Sequence, residues 1–444
     1  MSEKVIPKEY TNTGILWIDK IPNRWSITKV KYTTYVKGRI GWQGLKSDEF
    51  IDEGPYLVTG TDFDNGYINW GTCYHISEKR YDEAPSIQLK ENDLLITKDG
   101  TIGKVAIVKK IPSKAILNSG IFVTRSNKYE VEYMYWLLNS VVFDKYIKFH
   151  ETGSTIKHLY QETFENFSYP LPDRNEQKRI VMYLNEEISK IDLLIGDKEK
   201  LINLLEEKRQ SMITEAVTKG LNPNAKMKDS GVEWIDEIPS GWNIAKLKYF
   251  SQRIGDGLHG TPIYDDNGEI YFINGNNLGL KEIRLTENTN KISLEEFMKY
   301  KQSIGSNTIL ISLNGTIGKL SIYNEETIML SKSAGFINLK ESINKEFVYY
   351  FLKSSIVKNF YEQSFAGTTI NNLSLETLRN TPLLVPDIEA QKEIVNYLNN
   401  LEFDFEKVLG ELHLQTQKLK NFRQSLIYEA VTGKIDVSDW EVEA

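Results

Sequence analysis

The pentapeptide GTIGK occurs twice, at residues 100–104 and 315–319, and its glycines and lysine could bind phosphate. A nucleotide-binding P-loop has the form GxxxxGK followed by Ser or Thr, because its backbone amides surround the phosphates and its hydroxyl binds Mg²⁺. Here the two glycines are closer together, and an apolar residue follows the lysine in both copies. The spacing therefore excludes a P-loop. Lys104 and Lys319 remain candidates for contacts to DNA phosphate, or for solvated lysines on a strand.

A second pattern, PDRNEQK at residues 172–178, resembles the PD…ExK arrangement of metal-dependent nucleases. Its two carboxylates are too close in sequence, and the matching segment PDIEAQK at 386–392 lacks the ExK part. Asp173 followed three residues later by Glu176 instead favours a helix N-terminus with a capping box. The chain also has no signature of a serine hydrolase, zinc protease or dinucleotide-binding protein. We therefore predict no catalytic residues.

Several polar side chains near glycines could read DNA bases. In the major groove Arg and Lys suit guanine, whereas Asn and Gln suit adenine. The candidates are Arg39, Trp42, Gln43, Lys46, Lys98, Lys104, Lys157 and His158 in the first half, and His259, Thr261, Asn274, Asn276, Asn277, Asn314 and Lys319 in the second. The alternative is that these residues form turns or are simply solvated, since Asn and Gly favour turns for backbone reasons.

The composition is that of an ordinary globular protein, with 40% hydrophobic and 26% charged residues among 444. No apolar run reaches the roughly 20 residues that span a bilayer. Together with a single cysteine, this favours a cytoplasmic location. The formal net charge of −7 argues against a nucleic-acid-binding protein that acts alone. The objection is weaker if a partner subunit supplies the basic surface.

The sequence contains a tandem repeat of domain size. WIDKIPNRW at 17–25 returns as WIDEIPSGW at 234–242, and further matches follow in the same order. The matched segments are 13–32 with 230–249, 94–108 with 309–323, 153–167 with 367–381, 172–187 with 386–401, and 208–220 with 421–433. The four tryptophans of the echo recur in both halves, which favours a place in the core for Trp17, Trp25, Trp234 and Trp242.

Between the matched segments the copies differ. Residues 35–50 and 250–264 barely resemble each other. The halves are thus predicted to be one scaffold with two different surfaces. None of the five histidines recurs at an equivalent place, and the lone Cys73 permits no CxxC motif. A duplicated metal site is therefore not expected, and we predict no metal.

Each half is predicted to begin with a mixed α/β domain. Residues 94–108 alternate around Asp99-Gly100, a dipeptide that favours a type I′ hairpin turn, and Asn314-Gly315 repeats the signal. Residues 131–149 and 346–361 have the pattern of helices.

Each half is predicted to end in a long helix with an apolar seam at heptad spacing. The seam comprises Ile188, Ile191, Ile195, Lys198, Ile202, Leu205, Arg209, Met212 and Ala216 in the first helix, and Phe405, Leu409, Leu412, Thr416, Leu419, Arg423, Leu426 and Ala430 in the second. Gly196 and Gly410 are expected to interrupt the helices.

Such helices would be roughly 60–70 Å long. Pairing with each other in antiparallel orientation would hold the two α/β domains apart, whereas the alternative is that each packs on its own domain. Arg209 and Arg423 interrupt the seams at the same place. They are expected to pair with carboxylates of the opposite helix or of a partner subunit, or to extend their stems along the seam.

This architecture resembles the specificity subunit of type I restriction-modification systems. The resemblance lies in PxPD…Q…I at Pro170–Ile180 and VPD…Q…I at Val385–Ile394, in the RQS…EAVT ending of both helices, and in GWQGL…GTDFDNG and DGLHGTP. It covers essentially the whole chain. It implies an α+β fold with target-recognition domains at 1–171 and 221–385. Long spacer helices are implied at 172–220 and 386–433, and a C-terminal tail at 434–444.

The resemblance also implies a role. Each domain would read one half of a bipartite, asymmetric double-stranded DNA site, and the helices would fix the gap and dock two methylation subunits. Subunit-interface residues are expected at Ile195, Ile202, Arg209, Met212, Leu409, Leu419, Arg423 and Leu426. This chain would bind no cofactor. The methylation subunits would use S-adenosylmethionine, and up to two restriction subunits would use ATP and Mg²⁺.

Two further interpretations stay open at this point. In one, the chain is a two-headed structural adaptor that binds proteins; sequence-specific DNA binding with a methylation subunit would distinguish the two. In the other it is a self-sufficient restriction or methyltransferase enzyme. The missing catalytic motifs argue against this, and S-adenosylmethionine binding by the isolated chain would revive it.

Overall fold

The computed structural model describes residues 9–39, 45, 47–151, 158–365, 372–437 and 440. They divide into two compact units, the first within Met1–Lys198 and Leu414–Ala444 and the second within Glu199–His413. Each unit consists of a mixed α/β head and a portion of each of two long helices. The predicted α+β repeat is therefore confirmed. Within the described residues no helix is both long and apolar enough to cross a membrane.

The head of the first unit is built on two sheets. Numbered in chain order and given in spatial order, the larger sheet contains β4 (Tyr35–Gly38), β12 (Ile121–Arg125), β9 (Leu94–Thr97), β10 (Val105–Ile107), β7 (Tyr67–Ile68) and β6 (Phe63–Asp64). The smaller contains β11 (Ala115–Leu117), β5 (Ile51–Val58) and β8 (Tyr74–His75). Two-stranded pairs are β1 (Tyr10–Ile15) with β2 (Ile18–Pro22), and β3 (Ser26–Lys29) with β13 (Ser168–Leu171).

The second unit repeats this plan with fewer strands. Its larger sheet contains β17 (Ser251–Asp256), β23 (Ala334–Leu339), β20 (Thr308–Ser312) and β21 (Leu320–Ile322), all antiparallel. Its smaller sheet contains β19 (Lys291–Ile292), β18 (Ile270–Ile273) and β22 (Ile328–Leu330). Here too there are two pairs, β14 (Met227–Asp229) with β15 (Glu237–Pro239), and β16 (Asn243–Lys246) with β24 (Pro382–Val385).

Short helices cover the sheets. They are α1 (Val30–Thr33), α2 (Glu78–Asp82), α3 (Val131–Leu138), α4 (Val141–Glu151) and α5 (Gln161–Glu165) in the first unit, and α7 (Leu294–Tyr300), α8 (Lys345–Lys353), α9 (Ser355–Ser364) and α10 (Leu375–Asn380) in the second. The single helices predicted at 131–149 and 346–361 are thus wrong in one respect, since each is broken. A fully buried serine stands at each break. Ser140 accepts a hydrogen bond from the Val142 amide and Ser354 one from the Val357 amide, so each starts a new helix.

The two long helices are α6 (Arg174–Lys219) and α11 (Ile388–Val431). Gly196 and Gly410 do not interrupt them, contrary to prediction, because both are exposed and helical with no crowding neighbour. Asp173 caps α6 as predicted by accepting from the Glu176 amide at 2.9 Å. The reciprocal half of the capping box is absent, because the Glu176 carboxylate instead accepts from Trp25 Nε1 at 2.8 Å and from Arg24.

The glutamine of the PD…Q motif connects each long helix to its head. Gln177 donates to the Pro172 carbonyl at 2.8 Å and accepts from the Glu130 amide at 2.7 Å, just before α3. Gln391 makes the same two bonds, with the Pro386 carbonyl and the Asn344 amide, both at 2.9 Å. Both glutamines are buried. The motif is therefore structural, and it fixes where each head sits on its helix.

Within each unit the two long helices pair in antiparallel orientation. In the first unit Asp192 binds Arg423, and Lys198 Nζ donates to Gln415 at 2.7 Å. Residue numbers thus increase along α6 where they decrease along α11. In the second unit Ile202, Leu409 and Leu412 form a buried cluster. The predicted seam is confirmed, since each of its residues is buried or half-buried.

The sequence echo covers the end of a long helix in each unit. Trp25 packs with the end of α11 in the first unit, and Trp242 packs with the end of α6 in the second. Each helix stops at a glycine in the left-handed region, Gly433 at φ 72° and Gly220 at φ 74°. A Cβ on Gly433 would lie 2.6 Å from the Pro22 ring. The repeated segment therefore has the same structural role in both units, which is to pack around the C-terminal end of a long helix.

Replacing Gln391 with Ala should destabilise the second unit. The partly buried Asn344 amide and the buried Pro386 carbonyl would each lose a partner, so we expect the free energy of unfolding to fall by about 1–3 kcal/mol. Denaturant unfolding measures this. The control is Asn396→Ala at an exposed position of α11, with an expected change within about 0.5 kcal/mol. Equal effects of the two substitutions would contradict the role given to Gln391.

Candidate nucleic-acid interface

A seven-residue loop joins two neighbouring antiparallel strands in each head. Residues 98–104 join β9 to β10, and residues 313–319 join β20 to β21. The predicted hairpins are present, but the predicted type I′ turns are wrong. Such a turn needs positive φ at both central residues, and only the glycines at 100 and 315 have it. The matched sequence GTIGK is therefore a longer loop with two left-handed glycines in each copy.

A hydroxyl at the start of each loop holds its shape. Thr97 Oγ1 accepts from the Lys104 amide at 2.9 Å and donates to the Thr101 carbonyl. Ser312 Oγ accepts from the Lys319 amide at 2.8 Å and donates to the Thr316 carbonyl at 2.6 Å. The backbone path is thus fixed by one side chain at the base, so residues 98–99 and 313–314, which precede the shared GTIGK, can differ between copies.

A short turn packs against this hydroxyl residue in each head. The turns are 3₁₀ segments at Gly60–Asp62 and Gly275–Asn277. A Cβ on Gly60 would lie 2.8 Å from Thr97 Cγ2, and one on Gly275 would lie 3.0 Å from Ser312 Cβ. A Cβ would therefore clash at residue 60 and press on its neighbour at residue 275, so both positions favour glycine.

The residues inside these turns bind their own backbone. Asp62 accepts from the Thr59 amide at 2.7 Å, while Asn277 accepts from the Asn274 amide at 2.9 Å. Asn274 accepts from the Asn276 amide at 2.8 Å. Among the three asparagines expected to read bases, Asn274 and Asn277 thus shape the turn. Asn276 keeps an exposed side chain.

A third segment completes the arrangement. The Leu159 amide donates to the Lys98 carbonyl, and the Leu373 amide donates to the Leu313 carbonyl, both at 2.8 Å. The residue before each leucine faces the hairpin loop through a backbone bridge, His158 with Asp99 and Asn372 with Asn314. We refer to 59–62, 97–104 and 158–160, with 274–277, 312–319 and 372–374, as the loop clusters of the first and second heads.

The two loop clusters share a backbone but differ in polar chemistry. In the first, the Asp99 carboxylate and the His158 imidazole form an ion pair when the histidine is protonated. In the second, the equivalent residues Asn314 and Asn372 both carry amides. The side-chain oxygen of Asn314 is buried and has no hydrogen-bond partner among the described residues. A carboxylate and an imidazole thus stand where the other head has two neutral amides.

The lysines expected at the interface lie in the loop clusters. Lys104 is exposed. Lys98 is half-buried, with Nζ 5.3 Å from the centre of the Phe122 ring. Lys319 is also half-buried, and its aliphatic stem crosses Gly279, where a Cβ would lie 3.2 Å from Lys319 Cδ. All three lysines can present a positive charge at the same end of their heads.

Other expected contacts lie elsewhere. Arg39 is only 4% exposed, and its Nε donates to the Leu117 carbonyl at 3.2 Å. Burial, with the nearby Arg80 acting in the same direction, lowers the pKa of Arg39. This placement favours a structural role for Arg39.

His259 and Thr261 are exposed, and His259 Nε2 lies 2.6 Å from Asp256 Oδ2. Trp42, Gln43, Lys46 and Lys157 lie outside the described residues.

The residues expected at a subunit interface lie in the seam between α6 and α11. Ile195 and Leu426 belong to the core of the first unit, with Leu419 packed against it, and Ile202 and Leu409 form a cluster in the second. Arg423 binds Asp192 of the opposite helix through Nε at 2.7 Å and Nη2 at 3.2 Å, which is one of the expected pairings. Met212 and Arg209 are half-buried.

Arg209 lines a cleft of about 350 Å³ with Glu402 and Glu406 in the second unit. Arg423 lines the equivalent cleft of about 620 Å³ in the first unit. The predicted role of these seam positions at a subunit interface stays a prediction.

Thr97 and Ser312 are the important residues that sequence reasoning missed. The available signal was a hydroxyl residue at the same distance before GTIG in both copies. No group of three or more His, Cys, Asp or Glu that could hold a metal occurs among the described residues. Polar turns and lysines are the chemistry that these clusters offer, and such groups suit contacts to phosphates and base edges.

Comparison with known proteins identifies the family. The family model for the type I restriction modification DNA specificity domain matches residues 43–204 and 239–411. The chain belongs to this family. Its two units each carry one such domain, in tandem. Specificity subunits of type I systems are non-catalytic, in agreement with the absence of catalytic motifs from the sequence.

Relatives match over nearly the whole chain. The type I restriction enzyme MjaVIII specificity subunit of Methanocaldococcus jannaschii is 25% identical over 430 residues, which is 95% of each chain. The EcoBI specificity subunit of Escherichia coli is 24% identical over 374 residues, covering 79% of this chain and 75% of that one. A chain from a structural study of assembly and conformational transition in the type I R-M system has a TM-score of 0.69 at 16% identity, covering 94% of this chain and 99% of that one. It shows the same fold.

Replacing Thr97 with Val should loosen the first loop cluster. The Lys104 amide and Thr101 carbonyl would lose their partner, so we expect faster hydrogen exchange at the Lys104 amide and a stability loss of about 1–2 kcal/mol. Hydrogen-exchange mass spectrometry of residues 97–105 measures this. Thr101→Val is the control, because Thr101 enters the network only through its backbone. Unchanged exchange in Thr97→Val would contradict the role of the hydroxyl.

Proposed function

We propose that this chain is the DNA specificity subunit of a type I restriction-modification complex. Each head reads one half of a bipartite, asymmetric site in double-stranded DNA. The observation that carries this proposal is the pair of loop clusters. They share one backbone arrangement, but one presents Asp99 and His158 where the other presents Asn314 and Asn372. One scaffold with two sets of polar groups is what two unlike half-sites require.

The polar side chains of the loop clusters suit the two kinds of DNA contact. Lys104 and Lys319 supply positive charge for phosphates or guanine, and the Asn276 amide can pair with adenine. The chain as a whole has a net charge of −7, so charge alone would not hold it on DNA. Partner subunits that complete a basic surface around the duplex resolve this conflict.

The long helices offer a surface for those partners. Each helix buries one face in the seam and leaves a second apolar face in solvent. Large exposed side chains on these faces are Leu193, Leu194, Leu201 and Leu204 on α6, and Phe403, Val408, Leu414 and Phe422 on α11. Apolar side chains at this density along a helix favour a protein partner. We assign these faces to two methylation subunits, and we assign to the helices the fixed gap between half-sites.

The chemistry of the complex belongs to the partners. S-adenosylmethionine would be bound by the methylation subunits, which transfer its methyl group to adenine. ATP and Mg²⁺ would be used by restriction subunits in a complex that also cleaves. In this assignment the present chain binds no cofactor and acts in the cytoplasm, where it selects the site.

Charge reversal in the two loop clusters tests DNA reading by each head. Lys104→Glu and Lys319→Glu replace an attraction to DNA with a repulsion. We expect each to weaken binding of the complex with its methylation subunits to specific DNA by about 10- to 100-fold, and to flatten the salt dependence. Fluorescence anisotropy with duplex DNA at several salt concentrations measures both effects.

The matched control is Lys128→Glu, another exposed lysine of the first head that lies outside the loop cluster. It changes the net charge equally and should weaken binding by less than about threefold. Equal effects at all three positions would indicate a general charge effect and would count against reading by the loop clusters. Preserved binding to methylation subunits without any DNA binding would favour a protein adaptor.

Partner docking is tested on the exposed helix face. Phe403 is 69% exposed, so Phe403→Ser should leave the fold intact. Loss of an aromatic anchor should reduce affinity for the methylation subunit by about 10-fold or more. Co-purification and titration by isothermal calorimetry measure this. Leu16→Ser is the control, since Leu16 is 72% exposed and lies in the turn between β1 and β2, outside both long helices. Affinity that is equally retained by both variants would remove the α11 face from the interface.

A further inference from the structure

Tyr160 occupies a position where the second head has a residue of a different kind. The matched segments GSTIKHLY and GTTINNLS align Tyr160 with Ser374. Both residues precede a short helix, and their backbones agree closely, with φ −71° and ψ 146° at Tyr160 and φ −70° and ψ 149° at Ser374. The two heads thus place different side chains on the same backbone.

The serine performs the usual task of this position. Ser374 Oγ accepts from the Thr377 amide at 3.0 Å and therefore caps α10. Serine is among the preferred residues at a helix N-cap, and an aromatic residue is not. Tyr160 makes no side-chain hydrogen bond to the start of α5. The first head therefore lacks the N-cap hydrogen bond that the same backbone position makes in the second head.

The tyrosine ring is placed in the loop cluster and faces solvent. Tyr160 is 63% exposed. Its ring contacts the His158 ring edge-on, with centroids 4.7 Å apart and planes at 65°. The Asp99 carboxylate binds the His158 ring. Leu159, which lies between His158 and Tyr160, donates its amide to the Lys98 carbonyl. The ring is thus oriented by the same contacts that position the charged groups of the first loop cluster.

An exposed aromatic residue alone would need no explanation. Here three observations coincide: a cap is missing, the ring is oriented by a neighbour, and the site is the one that presents polar groups for DNA. A residue that gives up a helix cap in order to place an exposed ring at such a position indicates a functional site. A tyrosine ring offers a large rigid surface at low entropic cost, and apolar surface in the major groove recognises the thymine methyl group.

We propose that Tyr160 is a specificity-determining residue of the first head, whose ring packs against base edges of that head's half-site. This inference rests on the proposed function. The second head has no aromatic side chain at this position. Its half-site is read without this contact.

The test exchanges the residue for its counterpart. Tyr160→Ser is expressed with the methylation subunits in a host that lacks other DNA methyltransferases, and modified adenines are mapped by single-molecule sequencing. We expect one half of the recognised motif to become more degenerate while the other half stays unchanged. Methylation of the original site should slow by about 5- to 100-fold, the range for loss of one base contact. The melting temperature should be equal to or higher than that of the parent, because the cap is restored.

Two control variants separate the ring from its surroundings. Tyr160→Phe keeps the ring and should retain the parent motif and rate. Ser374→Ala removes a cap in the second head and should lower the melting temperature without changing the motif.

Three results would overturn the inference: an unchanged motif and rate in Tyr160→Ser, a lower melting temperature in Tyr160→Ser, or a Phe variant that behaves like the Ser variant. Absence of any modified motif with the parent chain would instead overturn the proposed function, and the inference with it.

Discussion

A buried amide in each unit connects the reading head to the long helix, and the positions of the loops depend on it. Gln177 and Gln391 each bridge the carbonyl before the helix and the amide that begins a helix of the head. Because a buried amide must satisfy its donor and acceptor together, these two bonds restrict how the head sits on the helix. The seam between α6 and α11 and the tryptophans at the helix ends then hold each unit around this connection.

A small number of contacts also fixes the backbone of each loop cluster. The hydroxyls of Thr97 and Ser312 tie the loop at its base, and a glycine of the neighbouring turn packs against each. These contacts use backbone groups of the loop, so they place no demand on the side chains that precede the shared GTIGK. Asp99 and Asn314, His158 and Asn372, and Tyr160 and Ser374 can therefore differ while the backbone stays the same. A protein that must read two DNA sequences with one fold needs this separation of scaffold and readout.

Some features could be predicted from the sequence because they follow from periodicity and repetition. The heptad spacing from Ile188 to Ala216 identified the seam correctly, since burial at this spacing is a geometric property of a helix. The helix breaks at Ser140 and Ser354 rest on local serine caps that the continuous helical pattern of 131–149 and 346–361 concealed. Other features depend on tertiary contacts, such as the bond from Trp25 to Glu176 that replaces half of the capping box. Arg39 was expected to face DNA, but its guanidinium lies against the Leu117 carbonyl of a strand distant in sequence.

The central claim is that two heads on one scaffold read two different half-sites. The most direct measurement is single-molecule sequencing of adenine methylation in a host free of other methyltransferases that expresses this chain with its methylation subunits. The account predicts one bipartite motif with two unlike halves, a modified adenine in each half, and a gap of constant length. A motif with two identical halves, a continuous motif, or no modified motif despite assembly of the complex would contradict it.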